Sequence, residues 1–184
     1  VNDAGLTFLA STVRNLAATA TTGNIVDSGA LTIAGTSSFT TSANNATIAL
    51  DTTTNAFTGA VTITTNDDSG TDADVTIDGG TTALVLAAST IDGDLTVRSG
   101  NASGITDDEG TVTVGGDLSA TTDANNGVIN FTALAVNGTI AVVTNGNGAA
   151  TVVNDAGLNL AASTVGGNLL ATATTGNMLD SGNL

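Results

Sequence analysis

The sequence contains no cysteine, histidine, lysine, proline, tryptophan or tyrosine, and only four phenylalanines. Each absence excludes some chemistry. Without histidine or cysteine there is no ordinary zinc, haem or iron–sulfur ligand set. There is likewise no Ser–His–Asp or Cys–His nucleophile and no disulfide. Without lysine there is no Walker-type phosphate contact and no Schiff base. Basic side chains are limited to Arg14 and Arg98, two isolated charges, against 17 acidic residues, giving a formal net charge of −15 and a pI near 4.1. Such a surface repels phosphate backbones and anionic lipid headgroups, so no nucleic acid is expected as a partner and no electrostatic membrane docking. Membrane insertion is not expected either, because the longest wholly apolar run, residues 83–88, is far too short to cross a bilayer. The chain opens at Val1 without a charged segment followed by a hydrophobic one, so no export signal is expected within it.

What fills the 184 residues is 36 threonines, 23 glycines and 19 asparagines, with 41% hydrophobic residues. Acidic, aromatic-poor chains are often disordered. Here valine, isoleucine, leucine and alanine are numerous enough to fill a core of small and β-branched side chains.

Internal periodicity is the strongest signal. Val1-Asn2-Asp3-Ala4-Gly5-Leu6 returns as Val153-Asn154-Asp155-Ala156-Gly157-Leu158, and residues 19–24 return as 172–177. The period is 152 residues at the front of this match and 153 at its end, because one residue is missing near Arg14. A half-length echo relates residues 84–95 to 158–169, with residues 6–16 a worn version of the same run. The expected organisation is therefore a single segment, 1–184, of a longer array, with half-repeats near 6–83, 84–157 and 158–184. Finer still is a corner motif of apolar, any, Gly, any, apolar, as in Ile91-Asp92-Gly93-Asp94-Leu95 and Val136-Asn137-Gly138-Thr139-Ile140. Its closing residues, Leu16, Phe39, Val61, Leu95, Leu118, Ile140 and Leu169, stand 23, 22, 34, 23, 22 and 29 residues apart.

Between corners, apolar residues alternate with Thr, Asp and Asn, as at Ile48/Leu50, Val61/Ile63, Leu95/Val97 and Val112/Val114. Period-2 alternation over four to six residues marks strands with one buried face. Thr, Val and Ile suit that pleated surface, and Gly, Asn and Asp supply the turns. No apolar stripe of helical period is present. Short strands recurring every 22 or 23 residues predict an all-β fold, a parallel β-helix (β-solenoid) whose coils stack about 4.8 Å apart, giving roughly 35 Å for seven corners. A proline would remove a ladder donor in every coil it entered, which fits its absence. Two longer coils, residues 63–84 and 142–158, are expected to carry bulged-out loops. An array of Ig-like sandwiches is the competing fold, but it needs about 100 residues per domain and a buried aromatic anchor.

The runs Gly29-Ala30-Leu31-Thr32-Ile33-Ala34-Gly35-Thr36-Ser37-Ser38-Phe39 and Val165-Gly166-Gly167-Asn168-Leu169 resemble the repetitive shafts of filamentous-haemagglutinin-like giant surface proteins of bacteria. The resemblance implies a right-handed parallel β-helix, export across the outer membrane, and a fibrous role in adhesion or cell contact.

Candidate sites are few. Asp67, Asp68, Asp72 and Asp74 form the densest acidic cluster and could supply oxygen ligands to calcium, the one cofactor the composition admits. They follow neither the EF-hand spacing nor the β-roll nonapeptide, so a solvated acidic loop is the favoured expectation. Asp107-Asp108-Glu109 is a second, weaker cluster. A glycoside-cleaving carboxylate pair needs a groove about 5 to 9.5 Å across, normally with an aromatic platform. Nothing here provides that platform, and the chain is not expected to be an enzyme. Gly146-Asn147-Gly148 faintly echoes a nucleotide-binding loop but precedes no helix. Thr62-Ile63-Thr64 and Thr111-Val112-Thr113 resemble the outward threonines of ice-binding solenoids, yet one pair follows a corner motif and the other precedes one, which predicts no continuous row.

The expected role is structural: a repeat of an extracellular filament or cell-surface fibre that gives length and rigidity. Its partners would be other copies of itself or adjacent repeats of a longer chain. The alternative is an adhesin segment that binds a carbohydrate or protein on a cell surface through the long-coil loops.

Overall fold

The alternating runs do form strands, and the strands wind into a parallel β-solenoid of about eight turns. The computed structural model describes residues 1–66, 72–108 and 110–184, and among these no residue is helical. One continuous face contains nine strands: Leu6–Phe8, Ile25–Asp27, Ile48–Leu50, Val75–Asp78, Leu95–Ser99, Leu118–Asn125, Thr139–Asn145, Leu158–Leu160 and Met178–Asp180. Each pairs in parallel with its equivalent one coil away. In register order, Leu6, Ile25, Ile48, Val75, Leu95, Leu118, Ile140 and Leu160 are separated by 19, 23, 27, 20, 23, 22 and 20 residues. At one rung spacing per turn, eight turns make a rod of roughly 38 Å.

The rest of the wall changes along the axis. In the first coils, Ser11–Val13, Leu31–Ile33 and Ala56–Phe57 form a second face, and Leu16–Ala20, Ser37–Thr41 and Val61–Thr64 a third. Val61–Thr64 then meets two short strands of the next coil, with Leu86 opposite Val61 and Thr90 opposite Thr64. Further along, one eight-residue strand, Ile129–Val136, spans both columns. The coils there are built from longer strands with fewer corners.

Inward-facing aliphatic residues from every coil fill the lumen. Phe39, Phe57 and Phe131 are fully buried. In the first three coils Phe8, Phe39 and Phe57 stack edge to face, with ring centroids 6.3 Å apart at each step, the geometry that aromatic quadrupoles favour.

The solenoid is as the periodicity predicts, but the corner motif marks two different corners. Leu16, Phe39, Val61 and Leu169 lie on one sheet, whereas Leu95, Leu118 and Ile140 lie on the nine-stranded face. The spacings of 34 and 29 residues therefore cross from one face to another and are not single coils. Glycine recurs at both corners because backbone of one coil presses on backbone of the next there. A Cβ at Gly59 would lie 2.5 Å from the Gly35 carbonyl oxygen, and one at Gly138 would lie 2.5 Å from that of Gly116. One predicted long coil exists, the 27-residue turn from Ile48 to Val75. The other does not, since residues 140–160 make an ordinary 20-residue turn.

Candidate functional site at the joints between coils

The acidic side chains do most of their work between coils. At the corner leading into the nine-stranded face, Asp74 Oδ1 accepts the Asp94 N–H at 2.9 Å, Asp94 Oδ1 accepts that of Asp117 at 2.7 Å, and Asp117 Oδ1 accepts that of Thr139 at 2.6 Å. Asn24 accepts the Thr47 N–H in the same manner. At another corner Asp27 accepts from the Thr52 hydroxyl and the Asn55 amide. Asp107 repeats this arrangement, taking the Thr132 and Ala133 N–H groups and the Thr132 hydroxyl. Aspartate and asparagine have the reach to span one rung of about 4.8 Å and satisfy a corner N–H that has no strand partner. This geometric demand accounts for a chain with one glutamate beside 16 aspartates.

Of the four residues in the calcium cluster, Asp67 and Asp68 lie outside the described residues, as does Glu109 of the weaker one. Asp72 and Asp74 are turned to different partners. With its amide nitrogen facing Asp72, Asn45 donates to both carboxylate oxygens at 2.6 and 2.8 Å, while Asp74 caps the next coil. Among the described residues no three Asp, Glu, His or Cys side chains gather as a metal-binding group. The larger surface hollows, about 390 and 410 Å³, are open and lined by aliphatic, Thr, Ser, Asn and Gly residues. Gly146, Asn147 and Gly148 form the turn into a strand, Ala150–Asn154, and no phosphate-facing helix follows.

Two expectations need correction. Arg98 is not isolated: its guanidinium donates to Asp123 and lies 4.0 Å from Asp78. The threonines do form a continuous row. Thr19, Thr40, Thr64, Thr90 and Thr113 are successive partners on one outer surface before Ala135 ends the line. The shift from third face to two columns brings Thr64 and Thr113 into one register, which linear distance from a corner could not reveal. The adjacent positions, Ala17, Ser38 and Thr62, are mixed, so the row is one threonine wide.

Burial raises the pKa of Asp78 above its ordinary value of 3.8. The Gly80 N–H and the Arg98 charge oppose that shift, and Asp123 and Asp51 add to it. A carboxyl raised on folding stabilises the fold in its protonated form. That contribution is complete below the unfolded value and is lost as pH climbs through the folded one. Asp78→Asn keeps an acceptor for Gly80 and removes the charge. It is expected to unfold at higher urea than the unmodified chain at pH 7, with the difference shrinking as pH falls toward 4. A difference that grows on acidification would count against this reading.

The stacked register and the carboxylate caps define a class, the parallel β-solenoid repeat proteins. Within that class the chain belongs to a family described as repeats of unknown function (DUF5649), whose model matches residues 1–64 and 72–132. Each matched stretch contains three rungs of the nine-stranded face, beginning at Leu6 and at Val75. No curated protein and no solved structure matches the chain.

Proposed function

We propose that the chain is a load-bearing stretch of a filament or fibre at the cell surface, where coil-on-coil stacking provides reach and stiffness. The observation that carries this reading is the unbroken register from Leu6 to Asp180, with every turn bonded to the next by strand ladders. In such a fold each turn rests only on its neighbours, so length is added without a new core. Its partners are then adjacent repeats and other copies of itself. The absence of lysine and the two arginines leave few sites for trypsin-like proteases, which supports a location outside the cell. A non-enzymatic role agrees with carboxylates occupied in joining coils.

Tandem copies of residues 1–152 imaged by electron microscopy test this. The expected result is a straight rod that lengthens by roughly 34 Å per added copy, seven rungs each. Compact particles whose long dimension does not grow with copy number would overturn it.

A further inference from the structure

The first and last stretches of the chain are one structure built twice. Residues 1–6, 10–13, 15–16, 18–24 and 27–29 recur as 153–158, 162–165, 168–169, 171–177 and 180–182. The pairing recurs with them. Leu6, Thr7 and Phe8 face Ile25, Val26 and Asp27, as Leu158, Asn159 and Leu160 face Met178, Leu179 and Asp180. Asn2 faces Ala20 as Asn154 faces Ala173.

In the second copy this stretch also has a coil upstream, and two polar side chains fasten it there. The buried Asn154 accepts the Val136 N–H at 2.8 Å and donates to the Val136 carbonyl at 3.0 Å. Ser163 accepts the Val142 N–H at 3.1 Å while its hydroxyl donates to the Ala161 carbonyl. The first copy holds the same groups in the same poses. Asn2 donates to the Gly5 carbonyl as Asn154 does to that of Gly157, and the Ser11 hydroxyl donates to the Leu9 carbonyl. Asn2 Oδ1 and the remaining Ser11 lone pair are thus set for the N–H groups that Asn154 and Ser163 receive.

We propose that the face carrying Asn2 and Ser11 docks on residues 129–145 of a second copy, in the place held there by that copy's own residues 153–183. This rests on the filament reading and specifies how separate molecules join. The incoming segment makes the same bonds as the one it displaces, and it brings a further coil beneath it, residues 31–57. The displaced segment has the weaker footing, with Leu170, Met178 and Leu179 each more than half exposed. Exchange of an identical element in a head-to-tail sense does not close on itself, so it propagates a line of subunits.

Leu158 is buried and Leu169 packs against the core. Leu158→Asp with Leu169→Asp in the full chain loosens the resident segment and leaves the acceptor coil intact. Sedimentation is expected to show elongated oligomers in steps of one chain mass, abolished when Leu6→Asp and Leu16→Asp are added. A folded but monomeric double variant, or oligomers that survive the added pair, would overturn the proposal. Should the aspartates unfold the chain, Asn2→Cys with Val136→Cys in the otherwise unmodified, cysteine-free chain decides. Interchain disulfides on oxidation support exchange, and free thiols alone refute it. Rods growing with copy number beside a failed exchange would leave the filament reading standing.

Discussion

Replacing Phe39 by alanine is expected to cost about 3–5 kcal/mol, the range for emptying a fully buried aromatic site. Phe39 has no exposed surface and lies between Phe8 and Phe57, so its loss breaks both edge-to-face contacts of the stack at once. Neighbouring walls are Ala18 and Ala20 on one side and Ile63 on the other, and stiff β-branched or short side chains cannot swing in to close the gap. The fold is one-dimensional, so the loss should be local. Hydrogen exchange is expected to show residues 6–64 losing protection while residues 95–154 keep theirs. Uniform loss across the chain would show that the coils melt as one unit.

Gly104→Ala should be the other large effect. Gly104 sits at φ +67°, and a Cβ there would lie 1.7 Å from the Val128 carbonyl oxygen. Left-handed strain in a non-glycine residue costs roughly 1–3 kcal/mol, and forcing the next coil away adds roughly 1–3 kcal/mol of overpacking. The Gly104 carbonyl also accepts the Leu84 N–H, and the Val128 carbonyl accepts that of Ile105, so displacement disturbs the ladder on both sides. Denaturant unfolding is expected to lose roughly 2–6 kcal/mol. A change below about 1 kcal/mol would mean the corner has room that the described geometry lacks.

The winding itself was legible because period-2 alternation and recurring glycine corners are local signals that survive in one dimension. Leu95, Leu118 and Ile140 announce stacked strands without any knowledge of their partners. Which face each corner opens was not legible. Glycine answers to close backbone approach, and that approach occurs at two corners of the cross-section, so Gly59 and Gly138 look alike in sequence while introducing different walls. The threonine row was hidden for the same reason: Thr64 and Thr113 share a line only once Thr90 supplies the intervening rung. The work of the aspartates was also out of reach. Asp94 and Asp117 sit 23 residues apart, and nothing short of the coil geometry shows that one carboxylate meets the backbone of the other. Arg98 and Asp123 met by the same wrapping, 25 residues apart.

Every ladder bond in the wall runs along the rod, parallel to the direction in which a tether would be pulled. Tension therefore loads the rungs one at a time, as in peeling, instead of sharing the load across many bonds in shear. A turn that lets go gives up one rung of height, about 4.8 Å, and releases some 22 residues of backbone, roughly 75 Å of slack. A shaft built this way yields by paying out line from its ends, and the turns it has not yet spent remain wound.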